Sequence, residues 1–174
     1  IGQYYGAGVW GVNWRENQFD LNMSGKEMKG QNVDLPGVEW VNDLKTAGSS
    51  DQSLIYTAPH SDVAYISGSL PAKSITVSGS MPNPPLTFAT EVNNWLKESG
   101  IEFKGNITTT SLQRIKGEKI LSAPKSNVIL EHKSPTLDKI IYCFMRKSVN
   151  FYGETLIKTL GKEKKNERSF DAGI

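Results

Sequence analysis

The chain has 174 residues, 37% hydrophobic and 22% charged, which is typical of a globular protein with a sizeable core. Twenty basic and eighteen acidic residues are interspersed, and the net charge is only +2. No basic stretch carries interleaved aromatic residues, so nucleic acid is not expected as a partner. The single cysteine, Cys143, cannot form an internal disulfide. No apolar run is long enough for a membrane span, so no transmembrane segment is predicted.

The first segment carries a glycine-rich stretch followed by a strand pattern. Residues 6–11 formally match the G-x-G-x-x-G dinucleotide fingerprint, which requires a strand before it and a helix after it. Instead, Phe19, Leu21 and Met23 alternate with polar residues, which predicts a strand. We interpret the glycines as a strand or turn packed closely against another backbone, and nucleotide binding as a weaker alternative.

The middle of the chain has the composition of short strands. Residues 26–52 are polar and are expected to be irregular, with a short strand or helical turn anchored by Val38, Trp40 and Leu44. Runs of β-branched and aromatic residues follow at 54–56, 63–66 and 75–77, separated by turn residues. We expect these three strands to form a small meander whose inner face needs a covering layer.

Residues 79–126 change to an α/β pattern. A helix is predicted from Pro84 to Ser99, with Gly100 directly after its end. Strands are predicted at 101–107 and 119–121. A helix followed by a strand is typical of α/β arrangements.

The last segment is predicted to be helical. Ser134-Pro135 indicates a helix start, because a hydroxyl N-cap is followed by a proline in the first turn. A second helical pattern begins near Tyr152 and is predicted to end at Gly161. The first helix is predicted to bury one apolar face, with Cys143 as a small core residue beside it. That face consists of Leu137, Ile140, Ile141, Phe144 and Met145.

Ser148 and Asn150 form an S-x-N motif at the junction between these two helices. Penicillin-recognising enzymes combine three elements, S-x-x-K, S-x-N and K-T-G. A serine hydroxyl is a poor nucleophile near neutral pH, so a nearby lysine must take its proton. A second serine can pass a proton to the departing amine, and an asparagine amide can hold the substrate's peptide group. The alternative is that both residues simply favour helix boundaries.

The other candidate motifs lack the context that their chemistry needs. Residues 122–125 spell S-x-x-K, but Pro124 predicts a strand running into a loop rather than a helix. Residues 158–161 resemble K-T-G but lie in a helical pattern. His60 and His132 are far apart and have no cysteine or paired carboxylate at ligand spacing. No metal site and no cofactor are predicted.

Three stretches, taken in order, resemble a known family. They are Tyr4-Tyr5-Gly6-Ala7-Gly8 with Asn13-Trp14-Arg15-Glu16-Asn17, then Ile75-Thr76-Val77-Ser78-Gly79-Ser80-Met81-Pro82, then Ser134-Pro135-Thr136-Leu137-Asp138 with Lys147-Ser148-Val149-Asn150-Phe151-Tyr152-Gly153-Glu154. The chain resembles the D-alanyl-D-alanine carboxypeptidase/endopeptidase family, the low-molecular-mass penicillin-binding proteins with nested inserted domains. The resemblance implies an α+β, multi-part fold. A β-rich inserted domain, 24–78, would lie within an α/β domain, 1–23 and 79–126, before a transpeptidase-like fragment, 127–174.

The resemblance also implies a function for the parent protein. It would be a serine enzyme of the periplasm or cell envelope that cleaves peptidoglycan stem peptides and is acylated by β-lactams. Ser148 would be the proton relay, and Asn150 would bind the substrate amide. The family's S-x-x-K would lie before residue 1 and its K-T-G beyond residue 174, so the chain alone is expected to be inactive. Exposed faces of such a fragment could support an oligomer. The alternative is a non-catalytic module that binds cell-wall material or a protein.

Overall fold

A computed structural model describes residues 2–120, 128 and 131–174. The chain divides into two compact units, residues 1–107 and residues 108–174. The fold is α+β, as expected. The first unit contains six strands: β1 (Gln18–Ser24), β2 (Glu27–Gln31), β3 (Glu39–Thr46), β4 (Gln52–Thr57), β5 (Val63–Leu70) and β6 (Ser74–Ser80).

The six strands form two three-stranded sheets rather than a meander. One sheet has the order β2-β1-β6 and is antiparallel, with Leu21 opposite Val77. The other has the order β3-β5-β4, in which β3 runs parallel to β5 and β4 runs antiparallel to it. The predicted strands at 19–23, 54–56, 63–66 and 75–77 are confirmed, but the meander is wrong. Periodicity identifies a strand, whereas its partner is decided by which faces can be buried together.

The core of the first unit draws apolar side chains from both sheets. Phe19, Leu21 and Met23, the alternating residues of β1, are completely buried. Their polar neighbours face outward, as the period of two requires. The remaining buried residues of this cluster are Val33, Leu35, Leu44, Ile55, Ile66, Leu70, Val77 and Met81.

The prediction that residues 26–52 are irregular is wrong in part. Strand β2 was not expected, whereas β3 contains Trp40 and Leu44, where a short strand or helical turn was predicted. Both strands carry mostly exposed side chains, and Leu44 is the one buried residue of β3. Each occupies a sheet edge. Edge strands are often polar and charged, which limits pairing with other chains, and this composition hides them from a hydrophobicity pattern.

Helix α1 (Pro84–Glu98) has the predicted start and stop. The side chain of Asn83 caps its first turn by accepting a hydrogen bond from the backbone N–H of Leu86 at 3.2 Å. At the other end Gly100 has φ +78°, and the N–H of Ile101 donates to the carbonyl of Leu96 at 2.9 Å. This is a Schellman closure, which requires a residue that tolerates the left-handed region.

The predicted strand at 101–107 is wrong, since the structure shows irregular backbone there. Lys119 and Ile120 also lie outside any strand, and Leu121 falls outside the described residues. A strand needs a neighbour for its hydrogen bonds, and none of the described strands pairs with either segment. The α/β alternation is therefore not seen in the part of the chain that the structure describes.

The second unit is helical in its described part. Its helices are α2 (Thr110–Ile115), which was not predicted, α3 (Leu137–Lys147), α4 (Asn150–Lys165) and α5 (Phe170–Gly173). Helix α3 begins later than predicted, with Thr136 rather than Ser134 at the N-cap position. Helix α4 does not end at Gly161, which is buried inside it, but at Asn166 in the left-handed conformation. None of the described helices is both long enough and apolar enough to cross a membrane.

The expectation that α3 buries its apolar face is also wrong in this structure. Leu137 is 59% exposed, Ile141 is 42% exposed and Met145 is 70% exposed. Phe144 and Cys143 are half-buried. The helical spacing is correct, but the described part of the chain supplies no surface that covers this side of the helix.

Candidate functional site

The S-x-N motif forms the corner between α3 and α4. Ser148 ends α3 in the left-handed conformation, with φ 51° and ψ 39°, and its N–H donates to the carbonyl of Phe144 at 2.8 Å. Val149 is extended, and Asn150 is the first residue of α4. The structure therefore places Ser148 and Asn150 two residues apart at a sharp reversal, as predicted from the helix pattern.

The left-handed conformation of Ser148 carries an energetic cost. A side chain in this region crowds the following carbonyl, which costs roughly 1–2 kcal/mol compared with the right-handed region. Glycine is the usual residue after a helix end, because it avoids this cost. Strained residues of this kind are concentrated at functional sites. The corner thus keeps a hydroxyl group at a position where glycine would be more stable.

Close packing on both sides holds the corner in place. The ring of Phe144 lies against the backbone of Gly153, so a Cβ added at Gly153 would sit 2.9 Å from its Cζ. Phe151 is largely buried, and its ring meets Tyr152 edge-on with centroids 5.4 Å apart. Because Gly153 lets the two helices approach closely, the orientation of the Ser148 backbone is set by both of them.

The side chains of the corner face solvent. Ser148, Asn150 and the adjacent Lys147 are all exposed. A serine hydroxyl can both accept and donate a proton, and an asparagine amide can pair with a peptide group through both of its ends. This pair can relay a proton and hold an amide. It cannot by itself activate a nucleophile, because a base must be paired with one.

The K-T-G-like motif does not have the structure that its chemistry needs. Residues 158–161 lie within α4, so they are helical and cannot serve as a K-T-G strand. Ser122 and Lys125 lie outside the described residues. His132 is exposed in irregular backbone. His60 belongs to the first unit, where its ring packs edge-on against Trp10 at 4.9 Å.

The glycine-rich segment does not have the geometry of a dinucleotide site. Residues 6–11 are followed by a short 3₁₀ turn and then by β1, not by an α-helix. Gln3 forms an isolated antiparallel bridge with Gly79 of β6. The segment is therefore a connection rather than a nucleotide loop. The expectation that its glycines pack closely against another backbone is wrong, because Gly6, Gly8 and Gly11 are exposed and a Cβ at any of them would meet nothing within 4 Å.

A strained turn in the first unit was not predicted. Residues 15–17 have φ values of 50°, 55° and 57°, so three consecutive non-glycine residues are left-handed. The buried Asn17 compensates by hydrogen bonding: its amide nitrogen donates to Gly8 O at 2.8 Å and to Asn13 Oδ1 at 2.7 Å. Its amide oxygen accepts from the N–H of Trp14 at 2.9 Å. Asn13 and Asn17 were the sequence signal from which this turn could have been predicted, since Asn stabilises such turns.

This turn is attached to α1 through Glu91. The Glu91 carboxylate accepts a hydrogen bond from the Trp14 indole nitrogen and pairs with the Arg15 guanidinium at 3.4 Å. The Arg15 guanidinium also lies 5.6 Å from the Trp14 ring centroid. Phe88 packs against Trp14 with ring centroids 5.1 Å apart. Arg15 and Glu91, which these contacts hold in place, line an open groove of about 560 Å³ in the first unit.

A family profile and a known relative agree on the family to which this chain is similar. The profile of the D-Ala-D-Ala carboxypeptidase 3 (S13) family matches residues 2–174. A D-alanyl-D-alanine carboxypeptidase from Actinomadura sp. (strain R39) is 25% identical over 150 residues, which are 82% of this chain and 27% of the relative.

Two structures of penicillin binding protein 4 (dacB) from Haemophilus influenzae share the fold. One is a complex with a novel β-lactam and has a TM-score of 0.67 at 19% identity, covering 97% of this chain and 39% of its own. The other has a TM-score of 0.69 at 17% identity, covering 99% of this chain and 38% of its own. The chain thus spans between about a quarter and two-fifths of the length of these relatives.

Proposed function

Since the chain belongs to the D-Ala-D-Ala carboxypeptidase 3 (S13) family, we propose that it supplies the S-x-N element of a penicillin-binding serine carboxypeptidase or endopeptidase. The observation that carries this proposal is the α3–α4 corner, where an exposed Ser148 is kept in the left-handed conformation beside Asn150. Ser148 acts as the proton relay, and Asn150 binds the substrate amide.

The proposed reaction proceeds through an acyl-enzyme. The nucleophilic serine of an S-x-x-K element bonds to the carbonyl carbon of the penultimate D-alanine after its lysine takes the hydroxyl proton. The C–N bond to the terminal D-alanine then breaks, and the departing nitrogen receives a proton through Ser148. Asn150 holds the neighbouring peptide group so that the carbonyl stays aligned. Water hydrolyses the ester and restores the serine.

We place this reaction on peptidoglycan stem peptides in the periplasm or cell envelope. A β-lactam would acylate the same serine, because its strained amide takes the position of the D-Ala-D-Ala bond. Residues 24–78 would form the inserted β-rich domain, 1–23 and 79–126 the domain around it, and 127–174 the catalytic fragment. The S-x-x-K and K-T-G elements would lie outside residues 1–174, so the chain alone is inactive.

Labelling with a fluorescent penicillin tests this proposal. The chain of 174 residues is expected to form no covalent adduct, while the protein from the complete reading frame is labelled. In that complete protein Ser148→Ala is expected to slow acylation by about 10²–10⁴-fold, the usual contribution of a positioned proton-transfer group.

Lys147→Ala is the matched control, because Lys147 is exposed at the same corner but lies outside the motif. Its acylation rate should stay near that of the unsubstituted protein. Stoichiometric labelling of the chain alone at Ser122 would contradict the assignment of the nucleophile. Equal acylation of the Ser148→Ala and Lys147→Ala proteins would contradict the relay and favour a helix-boundary role, as in a non-catalytic module.

A further inference from the structure

The groove between the strained turn and α1 has features of a ligand site that the proposed reaction does not use. Arg15 and Glu91 form one wall, and Asn94, Trp95 and Glu98 of α1 extend it. Across from them lies the connection after β2, which includes Asp34. All of these residues belong to the first unit, so the groove is complete within it.

The wall of the groove is rigid. Arg15 lies in a run of three left-handed residues, and its guanidinium is paired with Glu91. Glu91 also accepts the indole N–H of Trp14, and Asn17 holds the turn through buried hydrogen bonds. Strained backbone is concentrated at catalytic and ligand-binding sites. The position of this strained turn beside a groove therefore supports a binding role.

Trp95 is the most informative residue of the groove. Its side chain is 63% exposed although it is the largest apolar residue of α1. An exposed indole face in a groove offers a flat apolar platform beside polar groups. In the part of the chain that the structure describes, Asp34 and Glu98 take part in no ion pair, and the Asn94 amide makes no hydrogen bond. These groups remain available to hydroxyl and amide groups of a ligand.

The shape and charge of the groove narrow the class of ligand. Three carboxylates and one guanidinium line it, which disfavours nucleic acid and other polyanions. Small-molecule sites usually enclose most of the ligand, whereas this groove is open to solvent, which suits a ligand covered on one side only, such as a unit of a longer polymer. A sugar ring matches both requirements, because its axial C–H groups stack on an indole face while its equatorial hydroxyls reach planar side-chain amides and carboxylates.

We propose that this groove binds a glycan strand built from N-acetylhexosamine units, with Trp95 as the stacking platform. The inference rests on the proposed function in one respect only: peptidoglycan stem peptides are attached to such a strand. The groove would hold the strand in the first unit, while the S-x-N corner acts on the peptide. It would therefore recognise the polymer and take no part in the chemical step.

Calorimetric titration of the full chain with a β-1,4-linked N-acetylglucosamine hexamer tests the proposal directly. We expect saturable binding that Trp95→Ala weakens at least about tenfold, since stacking on an aromatic ring supplies much of the affinity of such sites. Tyr56→Ala is the matched control, because Tyr56 is an aromatic residue of β4 that is 50% exposed and does not line the groove. Its affinity should equal that of the unsubstituted chain.

A second variant keeps the test decisive if Trp95→Ala disturbs α1, which circular dichroism would reveal. Asn94→Ala removes an exposed amide on a helix where alanine is favourable, and it should weaken binding as well. The proposal is overturned if the unsubstituted chain shows no saturable binding at millimolar hexamer, or if Trp95→Ala and Tyr56→Ala bind equally. The hexamer carries no peptide and no β-lactam, so the absence of hexamer binding would not affect the penicillin-labelling test. A failure of penicillin labelling would likewise not affect the hexamer titration.

Discussion

At the scale of single residues, the backbone conformation of Ser148 differs from that of a serine at an ordinary helix N-cap. A boundary serine or asparagine is favoured at the N-cap, where its side chain accepts a hydrogen bond from the first turn. In this structure Val149 occupies the N-cap position of α4, so neither Ser148 nor Asn150 serves there. Ser148 lies instead at the strained end of α3, where glycine would cost less. This conformation supports the proposal that the hydroxyl of Ser148 is retained for its chemistry rather than for helix capping.

Asp138, in the first turn of α3, provides a pH-dependent test of the helix that carries the corner. Hydrogen bonding from the Thr136 side chain, followed by the backbone N–H of Lys139, holds the pKa of Asp138 below its ordinary value. A depressed folded-state pKa contributes stability that is present above the unfolded pKa of about 3.9 and is lost as the pH falls through the folded value. Its negative charge also favours a helix N-terminus.

We therefore expect Asp138→Asn to lower the melting temperature of the second unit at pH 7. The difference from the unsubstituted chain should shrink as the pH falls below about 4, where the unfolded chain begins to protonate Asp138, and it should vanish below the lowered pKa of the folded state. Thermal unfolding followed by circular dichroism across this pH range measures the effect. An Asp138→Asn chain that melts at the same temperature as the unsubstituted chain at pH 7 would contradict this contribution.

At the scale of elements, the packing of α4 against α5 requires a glycine that the sequence pattern wrongly placed at the end of a helix. Gly161 does not terminate α4 but lies buried within it, at the point where the chain returns as α5. A Cβ at Gly161 would lie 2.8 Å from the carbonyl oxygen of Glu167 and 3.0 Å from the backbone nitrogen of Gly173. Both atoms belong to the backbone, which cannot move aside as the tip of a flexible side chain could.

Gly161→Ala should consequently destabilise the second unit. Overpacking costs about 1–3 kcal/mol, and the better helix propensity of alanine returns up to about 1 kcal/mol, so a net loss of roughly 1 kcal/mol in the free energy of unfolding is expected. Urea denaturation measures it. Gly11→Ala is the control, because a Cβ there meets nothing within 4 Å. A Gly161→Ala chain as stable as the unsubstituted one would contradict the packing of α4 against α5.

At the scale of the whole molecule, the exposed apolar face of α3 should affect how the chain behaves in solution. Leu137, Ile141 and Met145 present apolar surface on one side of a helix, and burial of such surface against another chain is favourable at about 25 cal/mol per Å². We expect concentration-dependent self-association of the isolated chain, measurable by light scattering after size exclusion. Met145→Lys should weaken it, whereas Val12→Lys, a similar change at an exposed site of the first unit, should not. A chain that stays monomeric at every concentration would rule this out.

Local structure could be predicted from the amino-acid sequence wherever short-range chemistry is decisive. The alternation around Phe19 identifies a strand, because side-chain direction alternates along an extended backbone. Asn83 and Gly100 define α1, because a cap and a left-handed closure act within one turn. For the same reason, the position of Ser148 and Asn150 between two helices was predicted, and the order of motifs along the chain indicated the family.

How these parts combine depends on tertiary contacts that the sequence pattern does not reveal. The pairing of β6 with β1 follows from close approach over Gly79, where the Phe19 ring occupies the space of a missing side chain. The pairing of β3 with β5, and the groove between the strained turn and α1, likewise depend on contacts between residues far apart in sequence. Periodicity carries no information about such contacts, because burial and hydrogen-bond partners are properties of the assembled chain.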